Sequence, residues 1–227
     1  MLINMVASLD GKTTVGGKAG SIGSSVDRTL MRTLRARADA AMVGAGTLRA
    51  EKLTLAVPEN LARERASRGL EPQPLSIIAT ATGDVPLREN LLSSSPENLL
   101  VLVSPDVPEG RLAALSSHAS VEAVSRASGA NSGLDLNAAL EVLKRRYAVE
   151  VLLVEGGPAL NHALISAGLA DELYLTLAPK LFGGKSPDAL AALEGPILGS
   201  QKRPKAKLIS VHLCGHELFL RYGLYCT

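Results

Sequence analysis

The sequence has no tryptophan, and aromatic residues make up only 3% of its 227 residues. Proteins that bind single-stranded nucleic acid usually stack the bases on aromatic rings, so this scarcity argues against such a function. The formal net charge is only +2. So small an excess of positive charge gives no reason to expect a nucleic-acid or membrane-surface partner.

Cysteine is also scarce. Cys214 and Cys226 are the only two, and their spacing matches neither a CxxC pair nor a zinc site. We therefore expect two ordinary thiols and no metal site. The first residues, MLINMVASLDGK, lack the charged region and apolar run of a signal peptide. No apolar run reaches the roughly 18 residues of a membrane span. These absences predict a soluble cytoplasmic protein.

Short apolar runs of strand length are abundant. They are INMVASL (3–9), DAAMVG (39–44), PLSIIAT (74–80), NLLVLVS (98–104), SVEAV (120–124), VEVLLVE (149–155), ELYLTLAP (172–179), KLISVHL (207–213) and ELFLRYG (217–223). Several are apolar on both faces, as expected of strands covered on both sides in a parallel sheet. The last two are separated by only three residues, which predicts an antiparallel hairpin.

Helical patterns lie between these runs. Residues 135–147 have apolar side chains at i, i+3, i+4 and i+7, with Asp135 placed as the N-cap. Residues 27–37 show a similar pattern, and 158–167 repeat it between Pro158 and Gly168. Residues 56–73 predict a long loop with a short helix. The chain is therefore predicted to be one α/β domain, residues 1–227. Its mixed, mostly parallel sheet is flanked by helices and ends in an antiparallel hairpin.

Three predicted strands end in turns that could hold a ligand: SLDGK (8–12), GAGT (44–47) and EGGP (155–158). Ligands of open α/β sheets bind beyond the carboxyl ends of the strands. Gly156 and Gly157 would let the backbone approach a ligand, and a helix that begins at Pro158 would offer N–H groups to a pyrophosphate. Neither glycine turn has the full Rossmann fingerprint, and there is no GxxxxGK[ST] loop. A purely structural connection fits both turns as well.

The charged residues near these turns have two interpretations each. Asp10 precedes a glycine, which is common turn chemistry, and Lys12 is either solvated or a ligand contact. Glu155 follows four apolar residues, and a carboxylate buried there needs a partner. The arginines of 27–37 either decorate a solvated face or bind an anion, and Arg35 lies nearest the apolar stripe.

Four motifs occur in order: SLDGK (8–12), LRARADAAMVGAGT (34–47), LLVEGGPALNHALISAGLADEL (152–173) and APKLFGGK (178–185). Together they closely resemble the reductase domain of riboflavin biosynthesis, a family with the dihydrofolate reductase fold. The resemblance implies NADPH-dependent reduction of a ribosylaminopyrimidine 5′-phosphate. Hydride would pass from the nicotinamide ring to C1′ of the ring-opened imine and give a ribitylamino product. The resemblance also implies a homodimer.

The resemblance assigns roles to particular residues. Lys12 and Glu155 would be catalytic and, with Arg35 and Leu55, would face the substrate. The cofactor would be held by Val6, Ala7, Thr47, Glu51, Gly156, Gly157, Pro158, Ala159, Leu160 and Asn161.

The sequence departs from the family pattern T-x-x-x-D-[DN]-P-x-L-x-x-R over residues 47–58. Glu51 replaces the aspartate, the Asp-Pro pair is missing, and Pro58 stands where the family has an arginine that binds the substrate phosphate. SIGSS (21–25) replaces a Trp-Ile-Ser stretch. The H-x-E and P-C-x-x-C zinc signature of the associated deaminase is absent, which predicts a stand-alone reductase.

Two other functions stay open. A reductase of this fold that acts on a pterin or dihydrofolate would need an acid in the helix after the first strand. Asp27 is the only acid there, and its position equally suits an N-cap. The altered segment 47–58 would also suit a non-catalytic nucleotide-binding homologue. Within the favoured function, the sequence does not choose between the deaminated and the diamino pyrimidine.

Overall fold

A computed structural model describes residues 1–86, 96–128, 133–184, 189–199 and 203–225. The described residues form nine strands, six α-helices and a 3-10 helix at Pro96–Asn98. The strands are β1 Leu2–Ser8, β2 Ala40–Gly44, β3 Leu75–Ala79, β4 Leu99–Val103, β5 Ser120–Ala123, β6 Leu152–Val154, β7 Glu172–Ala178, β8 Lys205–Cys214 and β9 Glu217–Tyr225. The helices are α1 Ser25–Arg37, α2 Ala45–Ala50, α3 Glu59–Ser67, α4 Glu109–Ser116, α5 Leu136–Tyr147 and α6 Pro158–Ser166.

The hydrogen-bonded order of the strands is β5-β4-β3-β2-β6-β1-β7-β9-β8. Strand β1 pairs parallel with β7, and the pairs β2–β3, β3–β4 and β4–β5 are also parallel, whereas β9 runs antiparallel to both β7 and β8. The predicted mixed, mostly parallel sheet with a C-terminal antiparallel hairpin is confirmed. Cys226 and Lys185, the last residue of the APKLFGGK motif, lie outside the described residues.

The chain divides into two compact units. The first unit contains residues 1–32 and 154–227, and the second unit contains residues 33–153. The boundaries fall within α1 and β6, so each of these elements contributes residues to both units. The expectation of one reductase domain stays a prediction.

The second unit is built on the parallel strands β2 to β5. Their central side chains are in register, with Val43 opposite Ile78 and Ile78 opposite Val101, and all three are fully buried. Every residue of β4 is buried. This pattern is the one expected when helices and loops cover both faces of a parallel sheet. The cluster around these strands includes Leu48 and Leu55 from the chain that follows β2.

The first unit joins β1 to the C-terminal hairpin through β7. Val6 of β1 lies opposite Thr176 of β7, and Thr176 lies opposite Phe219 of β9. Strand β8 is paired with β9 along its length and continues into it through a turn at Gly215, whose φ of +59° favours glycine.

Two helix starts are confirmed and one is corrected. Asp135 is the N-cap of α5 and accepts the N–H groups of Asn137 (3.0 Å) and Ala138 (3.2 Å). Pro158 is the first residue of α6. The interpretation of Asp27 as an N-cap is wrong, because α1 begins at Ser25 and places Asp27 within its first turn.

The predicted strand at 149–155 is shorter in the structure. Its first residues form a turn in which the Asp39 carboxylate accepts the N–H groups of Glu150 (2.9 Å) and Val151 (2.7 Å). A short helix within 56–73 is confirmed as α3, whereas α2 and α4 were not predicted. Among the described residues, no helix combines the length and apolar character needed to cross a membrane.

Arg65 of α3 is buried with its charge, at 2% exposure. Its Nη1 donates to the carbonyls of Arg35 (3.4 Å), Ala36 (3.1 Å) and Ala38 (2.6 Å), and its Nε donates to Glu71 O (2.9 Å). The last carbonyls of a helix have no intrahelical partners. Arg65 therefore caps the C-terminal end of α1 from another helix.

The substitution Arg65→Met should strongly destabilise the protein. It leaves buried carbonyls without donors, and each such loss costs about 1–3 kcal/mol. We expect the free energy of unfolding, measured by urea denaturation, to fall by about 3 kcal/mol. The matched control is Arg63→Met on the exposed side of α3, which should change it by less than about 0.5 kcal/mol. Equal effects of the two substitutions would contradict the capping role.

Candidate active site

The turn after β1 is held by its own polar side chains. Ser8 donates its hydroxyl to Asp10 (2.6 Å) and accepts the N–H of Lys12 at Oγ (2.9 Å). Asp10 also accepts N–H groups from Gly183 (2.7 Å) and Phe182 (3.3 Å) in the segment after β7. The Ser8 hydroxyl and the Gly183 N–H lower the pKa of Asp10 to about 2. Asp10 thus ties two turns together, and it has a structural role.

Lys12 is held at this turn by its backbone. Its carbonyl accepts the Ser8 N–H (2.9 Å), and its backbone forms a bridge with Ala191. The following residue, Thr13, donates its N–H to Leu190 O (2.8 Å). Leu190 and Ala191 therefore run alongside this turn, in which the Lys12 side chain is half-buried.

The turn after β6 leads from an acid into a helix through two glycines. Gly156 has a φ of +94°, which favours glycine, and a Cβ there would lie 3.6 Å from Nδ2 of Asn161. The Gly156–Gly157 peptide bond is cis. Gly157 is the N-cap of α6 and makes no side-chain capping hydrogen bond. The first N–H groups of a helix have no intrahelical acceptors, so this end of α6 has the donors that a phosphate group needs.

Asn161, in the first turn of α6, is 3% exposed. Its Nδ2 donates to Ala192 O (3.5 Å), but its Oδ1 has no hydrogen-bond partner among the described residues. Buried polar atoms are nearly always paired, so an unpaired one indicates a missing donor such as a ligand N–H or a water. The segment after Ala191 covers this turn, since Glu194 donates its N–H to Pro158 O (3.2 Å).

A second group of polar side chains surrounds the first turn of α1. Asp27, Thr176 and Glu217 are all buried, on α1, β7 and β9. Burial is the main cause that raises the pKa of Asp27, and the charges of Glu217 and Glu155 raise it further. Ser24 donates both its N–H (3.0 Å) and its hydroxyl to the Glu217 carboxylate. The negative charges of Glu155, just after β6, and of Glu217 therefore both raise the pKa of Asp27.

The predicted site residues of the second unit lie around α2 and the chain that follows it. Thr47 lies in α2, and Glu51, its C-cap, donates its N–H to Thr47 O (2.8 Å). Leu55 is buried at 1% exposure. Arg35 is also buried and donates from Nη1 to the carbonyls of Thr54 (2.7 Å) and Ala56 (3.3 Å). Arg35 therefore forms hydrogen bonds with the backbone on both sides of Leu55.

The predicted residues of the first unit lie on two strand ends. Val6 and Ala7 lie near the end of β1, and Glu155 to Asn161 lie between β6 and α6. Sequence reasoning missed Thr176 and Glu217. The signal for Thr176 was present, because it is the one threonine in the largely apolar run ELYLTLAP. Within the described ranges, no three His, Cys, Asp or Glu side chains are grouped to hold a metal ion.

Comparison with known proteins identifies the class to which this architecture belongs. A model of the RibD C-terminal domain family matches residues 1–220. The chain therefore belongs to the RibD C-terminal domain family. The resemblance found in the four sequence motifs is confirmed, and the chain is assigned to the oxidoreductases.

Individual relatives support this assignment. A 2,5-diamino-6-ribosylamino-4(3H)-pyrimidinone 5′-phosphate reductase from Archaeoglobus fulgidus is 35% identical over 187 residues, 82% of each protein. A protein of the same name from Methanothermobacter thermautotrophicus is 27% identical over 195 residues, 86% of this chain and 84% of that one. A pyrimidine reductase-like protein from Corynebacterium diphtheriae shares the fold, with a TM-score of 0.82, 23% identity and coverage of 100% of this chain and 92% of that one.

Asp10 generates a prediction about pH. Because its folded pKa of about 2 lies below the ordinary value of 3.8, its contribution to stability is present above pH 3.8 and is lost as the pH falls towards 2. We expect Asp10→Asn to lower the melting temperature at neutral pH, and this difference from the wild type should disappear near pH 2.

The matched control for this prediction is Glu64→Gln, which removes an exposed carboxylate from α3. It should leave the melting temperature nearly unchanged at both pH values. A carbon NMR titration that places the Asp10 midpoint near 3.8 would contradict the proposed anchoring.

Proposed function

We propose that the chain is an NADPH-dependent reductase of riboflavin biosynthesis. Its substrate is a 5-amino-6-(5-phosphoribosylamino)pyrimidine, whose ribosylamino group it converts to ribitylamino. The observation that carries the proposal is the turn from Glu155 into α6. There an acid, two glycines and an uncapped helix start follow one another, in a chain 35% identical to a reductase named for such a substrate.

The residues of the first unit fit a nicotinamide cofactor, which membership of a reductase family implies. Gly156 has no side chain to obstruct a close approach, and the start of α6 offers N–H groups that lack intrahelical acceptors, together with the positive end of the helix dipole. Asn161 adds a buried acceptor, Oδ1, that has no partner within the part of the chain that the structure describes. We assign the pyrophosphate to Gly156–Asn161 and the nicotinamide to the backbone of Val6 and Ala7. When bound, NADPH supplies the hydride that reduces C1′.

Reduction of an imine requires one proton at nitrogen in addition to the hydride at carbon. Glu155 and Lys12 are the titratable side chains that the sequence motifs place at the site, and both are half-buried. We assign Glu155 to the hydroxyl groups of the opened ribose and to the movement of this proton, and Lys12 to an oxygen of the substrate. Positioning of the reacting carbon in a site shielded from water accounts for most of the remaining rate.

The roles proposed for the second unit rest on the family pattern. Thr47 and Glu51 would contact the cofactor, and Leu55 would contact the substrate. The hydrogen bonds from Arg35 to Thr54 O and Ala56 O hold the backbone that carries Leu55. Arg35 thus holds in place the backbone segment that carries Leu55, and it adds a positive charge beside that segment.

A direct assay tests this function. We expect the purified protein to bind NADPH more tightly than NADH and to oxidise it when a ribosylaminopyrimidine phosphate is added. Glu155→Gln should reduce kcat/KM by about 100-fold or more, because it removes a group that moves a proton. It should leave the Kd for NADPH nearly unchanged. Glu64→Gln is the matched control, and a fully active Glu155→Gln variant would contradict the role of Glu155.

One observation favours a second candidate function, the reduction of a pterin or dihydrofolate. The acid that such a substrate requires is present, because Asp27 is buried in the helix after β1. Oxidation of NADPH on addition of dihydrofolate, together with binding of methotrexate, would support this function. Turnover of only the ribosylaminopyrimidine would exclude it.

We also propose a homodimer that forms along β8. This ten-residue strand is at the edge of the strand order, and nearly all of its residues are exposed. The apolar side chains of Leu208, Ile209, Val211 and Leu213 are 48–69% exposed. A long apolar edge of this kind promotes association unless it is covered. A second copy of the chain would cover it with the same surface, as a two-fold interface requires.

The double substitution Val211→Lys with Leu213→Lys should produce a monomer. Residues two apart lie on one face of a strand, so two ammonium groups would enter the proposed interface together. Sedimentation velocity should show a dimer for the wild type and a monomer for the variant, with the same circular dichroism spectrum. Lys144→Glu, on the exposed face of α5, is the control and should remain dimeric. A dimeric double variant would contradict the interface.

A further inference from the structure

The segment Leu190–Pro196, which we call the covering segment, lies against the start of α6. Glu194 donates its N–H to Pro158 O, the first residue of the helix (3.2 Å). Two residues further along the chain, Pro196 O lies 2.7 Å from Nε2 of His162. The covering segment therefore follows the first two turns of α6.

The other end of the covering segment is bound to the turn after β1. The hydroxyl of Thr13 is shared between Leu190 O (3.1 Å) and Ala191 O (3.0 Å). The Ala191 N–H is bound to Oε1 of Glu194 within the segment (2.9 Å). The backbone is therefore held on both sides of Ala192.

This backbone determines which way the side-chain amide of Asn161 points. Its Nδ2 donates to Ala192 O (3.5 Å), whereas the reversed amide would bring two acceptor oxygens together. Oδ1 is therefore the atom on the far side of the amide, away from Ala192 O. The residue is 3% exposed, and Oδ1 has no hydrogen-bond partner among the residues that the structure describes. A buried acceptor at the start of α6 thus requires a donor from outside those residues.

The amide lies directly beside Gly156. A Cβ at this glycine would lie 3.6 Å from Nδ2 and 4.0 Å from Oδ1 of Asn161. Gly156 belongs to the turn that leads from β6 into α6, and β6 is the neighbour of β1 in the strand order. A ligand that approaches the start of α6 over Gly156 therefore comes within reach of Oδ1.

We propose that Oδ1 of Asn161 accepts a hydrogen bond from a hydroxyl group of the ribose that joins the nicotinamide of NADPH to the pyrophosphate. This inference rests on the proposed function and deepens it by assigning one part of the cofactor to one side chain. A phosphate presents acceptor oxygens, so it pairs with backbone N–H groups at the helix start and not with Oδ1. The donor that Oδ1 requires must come from another part of the ligand.

The positions assigned to the two neighbouring groups of the cofactor select this ribose. The nicotinamide is assigned to the backbone of Val6 and Ala7 on β1, and the pyrophosphate is assigned to the start of α6. All of these residues belong to the first unit. The ribose links the two groups, so it must span the distance between α6 and β1. Its hydroxyl groups can each donate to an amide oxygen.

The test measures calorimetric binding of three ligands without substrate. NADPH carries the nicotinamide and its ribose, 2′-phospho-ADP-ribose keeps that ribose without the nicotinamide, and 2′-phospho-ADP ends at the pyrophosphate. Asn161→Ala should raise the Kd of the first two ligands by about tenfold, because the ribose hydroxyl loses its acceptor. The Kd of 2′-phospho-ADP should stay unchanged.

A second variant tests the covering segment without changing Asn161. Thr13→Val removes the hydroxyl that binds Leu190 O and Ala191 O and nearly keeps the size of the side chain. The amide is then held less firmly by Ala192 O and must be ordered when the ligand binds. The Kd of the two ligands that contain the ribose should therefore rise by about threefold, again without a change for 2′-phospho-ADP.

The controls are Asn137→Ala, at an exposed position of α5, and Ser166→Ala, at the opposite end of α6 from Asn161. Both should leave all three Kd values unchanged. Urea denaturation of every variant shows whether it is folded. A variant that is merely less stable would bind all three ligands less tightly by the same factor, so the contrast among the ligands is independent of stability.

The outcomes separate this inference from the proposed function. The expected contrast among the ligands, in a protein that reduces no pyrimidine, would keep the inference and overturn the function. Turnover of a ribosylaminopyrimidine phosphate with unchanged Kd values in Asn161→Ala would keep the function and overturn the inference, with a water as the partner of Oδ1. Weaker binding of NADPH alone would identify the nicotinamide amide as the donor and overturn the assignment to the ribose. Equal weakening of all three ligands would also overturn it.

Discussion

The hydrogen bonds between Ser24 and the Glu217 carboxylate determine where α1 begins, and the arrangement around Asp27 depends on that point. The acid comes from the C-terminal hairpin, whereas the helix follows β1 near the start of the chain. Ser24 also caps the helix. Its hydroxyl group donates to the Glu217 carboxylate and accepts the N–H of Val26 in the first turn. A helix that began two residues later would turn Asp27 out to solvent as its cap. The long-range contact therefore converts a common capping residue into a buried carboxylate beside Thr176.

Side chains that bind backbone groups shape much of the remaining structure. Asp10 accepts N–H groups from the segment after β7, and Arg65 donates to the carbonyls at the end of α1. The Asp39 carboxylate accepts two N–H groups from the turn before β6. At α6, the ring of His162 fills the space that a Cβ of Gly195 would need, and it contacts Pro196 O at 2.7 Å. These contacts position irregular segments next to strand ends, where a parallel sheet places its ligands.

How well the sequence predicted each part depended on the distance over which its contacts act. The strands followed from apolar runs, since burial on both faces is visible in a single segment. The turn from Glu155 through Gly157 into α6 could likewise be predicted, because its glycines, Pro158 and the apolar pattern are adjacent in the chain. Thr176 and Glu217 were not found, because their importance comes from contacts with Asp27 and Ser24 that lie far away in sequence. Helices α2 and α4 were missed because they span only six and eight residues, too few to show a clear helical repeat.

The sequence by itself determined the family, the α/β class and the glycine turn, because each depends on local patterns or on the order of motifs along the chain. It also named Asp27 as the single acid of the helix after β1, but it left two interpretations of that residue equal. Only the tertiary structure excluded the N-cap, because it buries Asp27 within the first turn of α1. Whether a carboxylate caps a helix or lies buried depends on the exact residue at which the helix starts, and here a glutamate nearly two hundred residues away sets that start.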